Sequence, residues 1–247
     1  MSENPILVEY DLRAPYYSGR TPYIEQFLSE VLIAERITKV RSALDLCTGR
    51  GEIASIISNV AEHIDAVDGA KNMLNLAKVI PNVSYFLMDL NTTKFREFCN
   101  GKQYNLMTIG RGVHFLDPST LTYLKDILTA DGKLLIFNSR ADSSNPWLSD
   151  YSQVVSKYGI GRRSTKGQGQ RNLKDAGYSA PKVYRRVYKL NVPISHISKL
   201  GLSYSENEIA LKHIDEYNFE MQQKMTTFSN NGMLEFNLYN SVQIYRP

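Results

Sequence analysis

Apolar and polar residues follow one another along this chain in two rhythms. Short, strongly apolar runs at Ser42–Leu46, His63–Asp68, Val83–Met88, Tyr104–Ile109 and Lys133–Asn138 predict buried strands. Between them, apolar residues at three- and four-residue spacing predict helices at Gly51–Val60, Lys71–Val79, Thr92–Cys99 and Ser119–Leu128. Strand and helix in strict alternation is the pattern of a parallel sheet, whose strands need crossover connections. The pair Asp131-Gly132 predicts a turn that delivers the chain into the fifth strand. Ahead of the first strand, Ile24, Phe27, Leu28, Val31 and Leu32 recur at helical spacing, with Pro22 in a first turn after Thr21. Residues 1–40 therefore read as a helical cap.

After Asn138 the alternation breaks. A helix is predicted near Trp147–Tyr158, and the glycines and basic residues of Tyr158–Gln170 predict a loop. Strand character returns at Val183–Leu190, a helical stretch follows near Glu206–Lys224, and Leu234–Tyr245 reads as a final strand. No internal repeat interrupts this order. The expected organisation is a single domain over residues 1–247, with 139–182 as a lid-like insertion after the fifth strand.

Composition narrows the class. Apolar residues make up 43% and charged residues 22%, ordinary for a globular chain of 247 residues and too apolar for disorder. No run approaches the ~20 apolar residues of a membrane-spanning helix, and the charged start MSENPILVEYDLR lacks a signal-peptide core. Cys47 and Cys99 form no CxxC pair, which argues against a disulfide framework or a cysteine-rich zinc site, and no histidine pair has metal-ligand spacing. The expectation is a cytoplasmic protein without metal or membrane. The net charge of +4 is concentrated, since Lys157–Lys189 carries ten Lys/Arg against one acidic residue, Asp175. Such a segment is either a solvated basic loop or a surface for an anionic partner.

The strongest chemical signal is Ala43-Leu-Asp45-Leu-Cys47-Thr48-Gly49-Arg50-Gly51-Glu-Ile-Ala54, an apolar strand ending in a glycine turn that opens a helix. Gly49-x-Gly51-x-x-Ala54 on its own also fits a dinucleotide fingerprint. Its neighbours favour S-adenosylmethionine. Asp45 just ahead of the turn suits a cationic amino-acid portion and would repel a pyrophosphate. Asp68, in Val67-Asp68-Gly69 at the end of the second strand, can accept ribose hydroxyls. Asp89, in Met88-Asp89-Leu90 after the third strand, can accept an adenine amino group.

With these residues in place the chain resembles the class I S-adenosylmethionine-dependent methyltransferases, in particular their small-molecule branch. The resemblance runs from Tyr10 to the C-terminus. It implies an α/β fold, a three-layer Rossmann-like sandwich on a seven-stranded, mostly parallel sheet with an antiparallel last strand, here Tyr239–Pro247. It also implies a cofactor site formed by Asp45, Cys47, Thr48, Gly49 and Gly51, by Asp68 and Gly69, and by Asp89 and Leu90. Met73 matches a residue that packs on the adenine. Arg13 and Tyr16, in Tyr10-Asp-Leu-Arg13-Ala-Pro-Tyr16-Tyr17, match a segment that reaches the methionine carboxylate. Gly110-Arg111-Gly-Val-His114-Phe-Leu-Asp117 resembles the motif after the fourth strand, where Arg111 is bulkier and more cationic than usual. Cys47 and Thr48 are small departures at the turn, and Phe115-Leu116 replaces Trp-Phe.

Methyl transfer from a sulfonium is an in-line displacement on an already activated group, so the protein mainly positions the nucleophile and excludes water. A hydroxyl or ammonium acceptor also needs a base, and His114 is the candidate, since imidazole titrates near neutrality. The alternative is a histidine that merely caps the turn. Sixteen tyrosines, among them Tyr10, Tyr16, Tyr17, Tyr23, Tyr151 and Tyr158, suit an aromatic small-molecule acceptor, and Arg111, if it points into the site, suits an acidic acceptor or the cofactor carboxylate. Two other readings are open to the sequence: a nucleic-acid methyltransferase using residues 157–189, and a cofactor-binding protein of this fold whose reaction is not methylation. The first is disfavoured because the chain lacks the Asn/Asp-Pro-Pro-Tyr/Phe motif.

Overall fold

The computed structural model describes residues 5–159, 167–204 and 208–247. Two helices open the chain, α1 (Pro5–Arg13) and α2 (Glu25–Ala34), separated by a 3-10 segment over Ala14–Gly19. Alternation then begins with β1 (Val40–Leu46), α3 (Glu52–Ile57), β2 (Ala61–Asp68), α4 (Lys71–Leu74) and β3 (Val83–Leu87). It continues through α5 (Thr93–Cys99), β4 (Tyr104–Gly110), α6 (Pro118–Asp126) and β5 (Leu128–Ala141). The remainder is α7 (Leu148–Tyr158), α8 (Gln168–Asp175), β6 (Lys182–Pro193), α9 (Ile194–Leu202), α10 (Glu208–Lys212), α11 (Ile214–Thr226) and β7 (Met233–Tyr245). The seven strands form one sheet in the order β3-β2-β1-β4-β5-β7-β6. The β2–β3, β1–β2, β1–β4 and β4–β5 pairs are all parallel. The order reverses between β1 and β4, where open α/β sheets form a ligand crevice at the strands' carboxyl ends.

Four local expectations are corrected. Asp131-Gly132 lies within β5 and makes no turn; Tyr104 pairs with Leu128 and Leu106 with Lys133, so the extra residues bulge out of the strand. The helix expected over Lys71–Val79 stops at Leu74, because Leu76 and Val79 are 49% and 98% exposed and give it no apolar face to bury. Pro22 precedes α2, which begins at Glu25. The loop expected over Tyr158–Gln170 ends early, since α8 already begins at Gln168, and residues 160–166 of it lie outside the described residues.

The chain separates into two compact units. One comprises Met1–Pro22, Ser139–Ser164 and Arg186–Asn240, so the expected insertion 139–182 is divided between them. In this unit Trp147 is buried, meets Tyr151 and Phe236 edge-on, and donates its indole N–H to the Glu235 carbonyl at 2.9 Å. The other comprises Tyr23–Asn138, Thr165–Arg185 and Ser241–Pro247. Its core gathers Leu44, Leu46, Val67, Met107, Ile109 and Leu134 from four adjacent strands. Leu121 and Leu124 of α6 and Leu173 of α8 pack on the same cluster, which fixes the strand ends relative to one another.

In that second unit the Glu35 side chain is buried at the end of α2. Its carboxylate pairs with Lys182 at 2.7 Å and Lys133 at 3.4 Å, lies 3.9 Å from Arg246, and accepts the Tyr184 hydroxyl at 2.7 Å. A second buried carboxylate, Asp65, accepts Tyr104 at 2.6 Å and Lys102 at 2.9 Å and lies 2.9 Å from a ring nitrogen of His63. Both networks satisfy charges that would otherwise be costly to bury. Among the described residues no helix is long and apolar enough to cross a membrane.

Candidate active site

The site grows from the end of β1. Asp45 is fully buried, and its carboxyl oxygens accept the hydroxyls of Thr48 and Thr108, each at 2.5 Å. Burial pushes this carboxyl up to about 7 from 3.8; the bonds from Thr108, Thr48 and the Ala54 backbone oppose the rise, and the nearby Asp68 charge adds to it. The chain then turns sharply. Cys47 has φ 53°, in the left-handed region, and its thiol points at the Gly112 carbonyl at 3.8 Å. Gly51 has φ 73°, and a Cβ there would lie 2.4 Å from the Tyr85 hydroxyl, so only glycine fits this turn.

Asp68 at the end of β2 closes the turn. Its two carboxylate oxygens accept the backbone N–H of Gly49 at 2.7 Å and of Ala70 at 2.8 Å. The Thr48 N–H also reaches the Val67 carbonyl at 3.1 Å. Met73 is buried, with its methyl 3.4 Å from where a Gly49 Cβ would sit. After β3, Asp89 accepts the Asn91 N–H at 3.0 Å, and Leu90 is buried in the core. The Cys47 thiol is pushed well above its usual range by burial and then by the charges of Asp68, Asp45 and Asp89. A thiol raised in this way is a poor source of thiolate.

At the end of β4, Gly110 passes beneath Tyr23; a Cβ would lie 2.6 Å from the Tyr23 hydroxyl. Arg111 has φ 54° and lays its guanidinium over the Tyr23 ring at 4.5 Å. Of the four described non-glycine residues with positive φ, Cys47 and Arg111 both fall here, so backbone strain concentrates at the ends of the adjacent strands β1 and β4. His114 follows in a short 3-10 turn, half-buried, its ring 3.9 Å from that of Phe115. Asn91 holds this turn, donating to the Phe115 carbonyl at 2.7 Å and accepting the Asp117 N–H at 3.0 Å.

One compact unit thus brings together Asp45, Cys47, Thr48, Gly49, Gly51, Asp68, Gly69, Met73, Asp89, Leu90, Gly110, Arg111 and His114. Tyr23, Tyr85, Asn91 and Thr108 join them without having been singled out for this role. Arg13 and Tyr16 belong to the other unit. There the Arg13 side chain is buried and donates to the carbonyls of Tyr204 at 2.8 Å and Glu9 at 2.9 Å. Tyr151 packs on Trp147 and Tyr158 on Tyr217. Within the basic segment, Lys157 pairs with Glu220 at 2.5 Å, Lys182 with Glu35 at 2.7 Å and Lys189 with Glu235 at 3.2 Å, which reduces its net field.

The fold has solved counterparts. A protein of Anaeromyxobacter dehalogenans assigned to the type II methyltransferases superposes with TM-score 0.67, covering 92% of this chain and 96% of its own at 13% identity. The chain has the class I methyltransferase fold. A second example of that fold, a SAM-dependent methyltransferase from Geobacter sulfurreducens solved with S-adenosyl-L-homocysteine, gives TM-score 0.53 over 92% of this chain and 93% of its own at 12% identity. In sequence, an uncharacterised methyltransferase from Schizosaccharomyces pombe is 24% identical over 94% of this chain and 91% of its own length. No family model matches the chain.

Proposed function

We propose that this methyltransferase fold binds S-adenosylmethionine at the carboxyl ends of β1, β2 and β3 and transfers its methyl group to an oxygen or nitrogen of a small molecule. The observation that carries the reading is the charge of the site. In a dinucleotide site the amides of the glycine turn face a pyrophosphate; here the Gly49 N–H is committed to the Asp68 carboxylate. Asp45 and Asp89 add acidic groups around the same turn. A pyrophosphate would meet repulsion, whereas a ligand with a sulfonium and an ammonium is attracted. The residues therefore fit S-adenosylmethionine.

In this reading the Asp68 carboxylate also accepts the ribose hydroxyls, and Asp89 accepts the adenine amino group. Met73 packs beside the base, and Asp45 keeps the turn open through Thr48 and Thr108. The bound cofactor supplies an activated methyl group. The chain's own part is to hold the acceptor in line, to exclude water, and to accept its proton at the His114 imidazole. Production of S-adenosylhomocysteine with phenolic or carboxylic acceptors tests the reaction. Absence of turnover despite tight cofactor binding would reassign the chain to a non-methylating reaction on the same fold.

Asp45 provides an internal check. Its carboxyl titrates at about 7, and a cation bound nearby favours the ionised form, so binding near neutral pH releases part of a proton. The calorimetric heat of binding is expected to vary with the ionisation enthalpy of the buffer near neutrality. That variation should disappear in alkaline buffer and in Asp45→Asn. A heat independent of buffer in the unsubstituted protein would refute this coupling.

A further inference from the structure

The first unit holds a cavity of about 230 Å³ between α9 and α11, away from every residue to which a role has been given except Tyr16. One wall is the α9 face carrying Ile194, Ser198, Lys199 and Leu202; the other is α11 with Ile214 and Asn218. Tyr16, from the 3-10 segment, completes it. The walls are held by specific contacts. Ser198 donates its hydroxyl to the Asn218 side-chain oxygen at 2.5 Å, and the Tyr217 hydroxyl donates to the Ser198 carbonyl at 3.0 Å. Gly19 rests on Lys199 so closely that a Cβ would lie 2.4 Å from the Lys199 Cβ, which brings Tyr16 to the cavity.

The lining has one chemical character. It contains one cation, Lys199, and no carboxylate. Asn218 uses its oxygen as acceptor from Ser198, which leaves its exposed NH2 group as a donor. The Lys199 ammonium and the Asn218 amide, with the Ser195 hydroxyl and the Gln222 amide, thus stand beside an apolar body formed by Tyr16, Ile194, Leu202 and Ile214. A small number of polar groups in a mostly apolar pocket fixes a ligand's orientation and identity. The volume equals roughly eight waters at about 30 Å³ each, below the range of drug-sized sites.

We propose that this cavity binds a small carboxylate with an apolar body of about the size of a benzene ring. Its carboxylate meets the Lys199 ammonium and the Asn218 amide, and its ring lies against Tyr16, Ile194, Leu202 and Ile214. This assignment does not depend on the cofactor reading, because of the cavity residues only Tyr16 is also expected at the cofactor, and neither Lys199 nor Ser195 is.

The test is a heteronuclear NMR titration of the full chain with benzoate, with benzyl alcohol as the neutral control. Saturable shifts confined to the amides of α9, α11 and the Tyr16 segment are expected for benzoate and not for benzyl alcohol. Lys199→Gln should weaken benzoate roughly ten-fold, as loss of a charge-assisted hydrogen bond does. Ser195→Trp, placed at an exposed rim position of the cavity, should block binding while S-adenosylhomocysteine affinity is retained in both variants. Equal binding of benzyl alcohol, an unchanged affinity in Lys199→Gln, or no saturable shift at millimolar benzoate overturns the proposal. None of these outcomes bears on the cofactor site, which is read separately from the S-adenosylhomocysteine titration.

Discussion

Asp68→Ala is expected to weaken binding of S-adenosylhomocysteine at least a hundredfold. The carboxylate of Asp68 holds two backbone amides, Gly49 at 2.7 Å and Ala70 at 2.8 Å, and so defines the glycine turn before any ligand arrives. Hydrogen bonds to a charged group contribute about 1.5–3 kcal/mol each, and every 1.4 kcal/mol is about a tenfold change in affinity. Losing both, together with the acceptors proposed for the ribose, gives the stated effect. Asp68→Asn keeps one side-chain oxygen and should fall between the two. Calorimetry on variants with unchanged circular dichroism measures this. An Asp68→Ala protein that binds as tightly as the parent would show that the turn is not a cofactor site.

Glu35→Gln should be the most destabilising change away from the site. Burial pushes the Glu35 carboxyl up, but hydrogen bonds from Lys182, Tyr184 and Lys133 and the Lys133 charge outweigh it, leaving the group at about 2 against its usual 4.5. A depressed carboxylate contributes stability above its unfolded pKa, and that stability is lost as pH falls through the folded value. The shift from 4.5 to about 2 corresponds to about 3 kcal/mol at neutral pH. For a chain of this size that is a fall in Tm of roughly 6–12 °C. In urea unfolding, the gap between parent and variant should be full at neutral pH and should narrow as pH falls from about 4.5 toward 2. A gap that stays constant over that range would mean that packing, and not charge, is what the substitution removes.

The two predictions differ in how readily sequence exposes them. Asp45, Gly49, Gly51 and Asp68 are legible because the signal is local: a strand, a turn and a helix start within a dozen residues, then an acid at the next strand end. The Glu35 network is not legible, since the Lys133 and Tyr184 contacts span 98 and 149 positions and only the folded sheet brings them together. Tyr23 is one of sixteen tyrosines, and nothing in its sequence neighbourhood announces that it covers Gly110 and Arg111. Asn91 is in the same position, being one polar residue after a strand until the fold sets it beside Phe115 and Asp117. Helix α9 is not legible either, since Pro193 at its N-cap position offers no side-chain cap to announce it. Its Ser and His residues masked an apolar face of Ile194, Ile197, Leu200 and Leu202. Over Lys71–Val79 the apolar spacing overstates the helix for the opposite reason, because periodic apolar residues form a long helix only where something packs on them.

The central claim is that the acidic turn is a site for S-adenosylmethionine. Calorimetric titration of the full chain with S-adenosylmethionine and S-adenosylhomocysteine, with NADH as control, tests it most directly. Saturable micromolar binding of the two sulfur ligands and none of NADH is the predicted result. Saturation by NADH, with no heat from either sulfur ligand in folded protein, would contradict it.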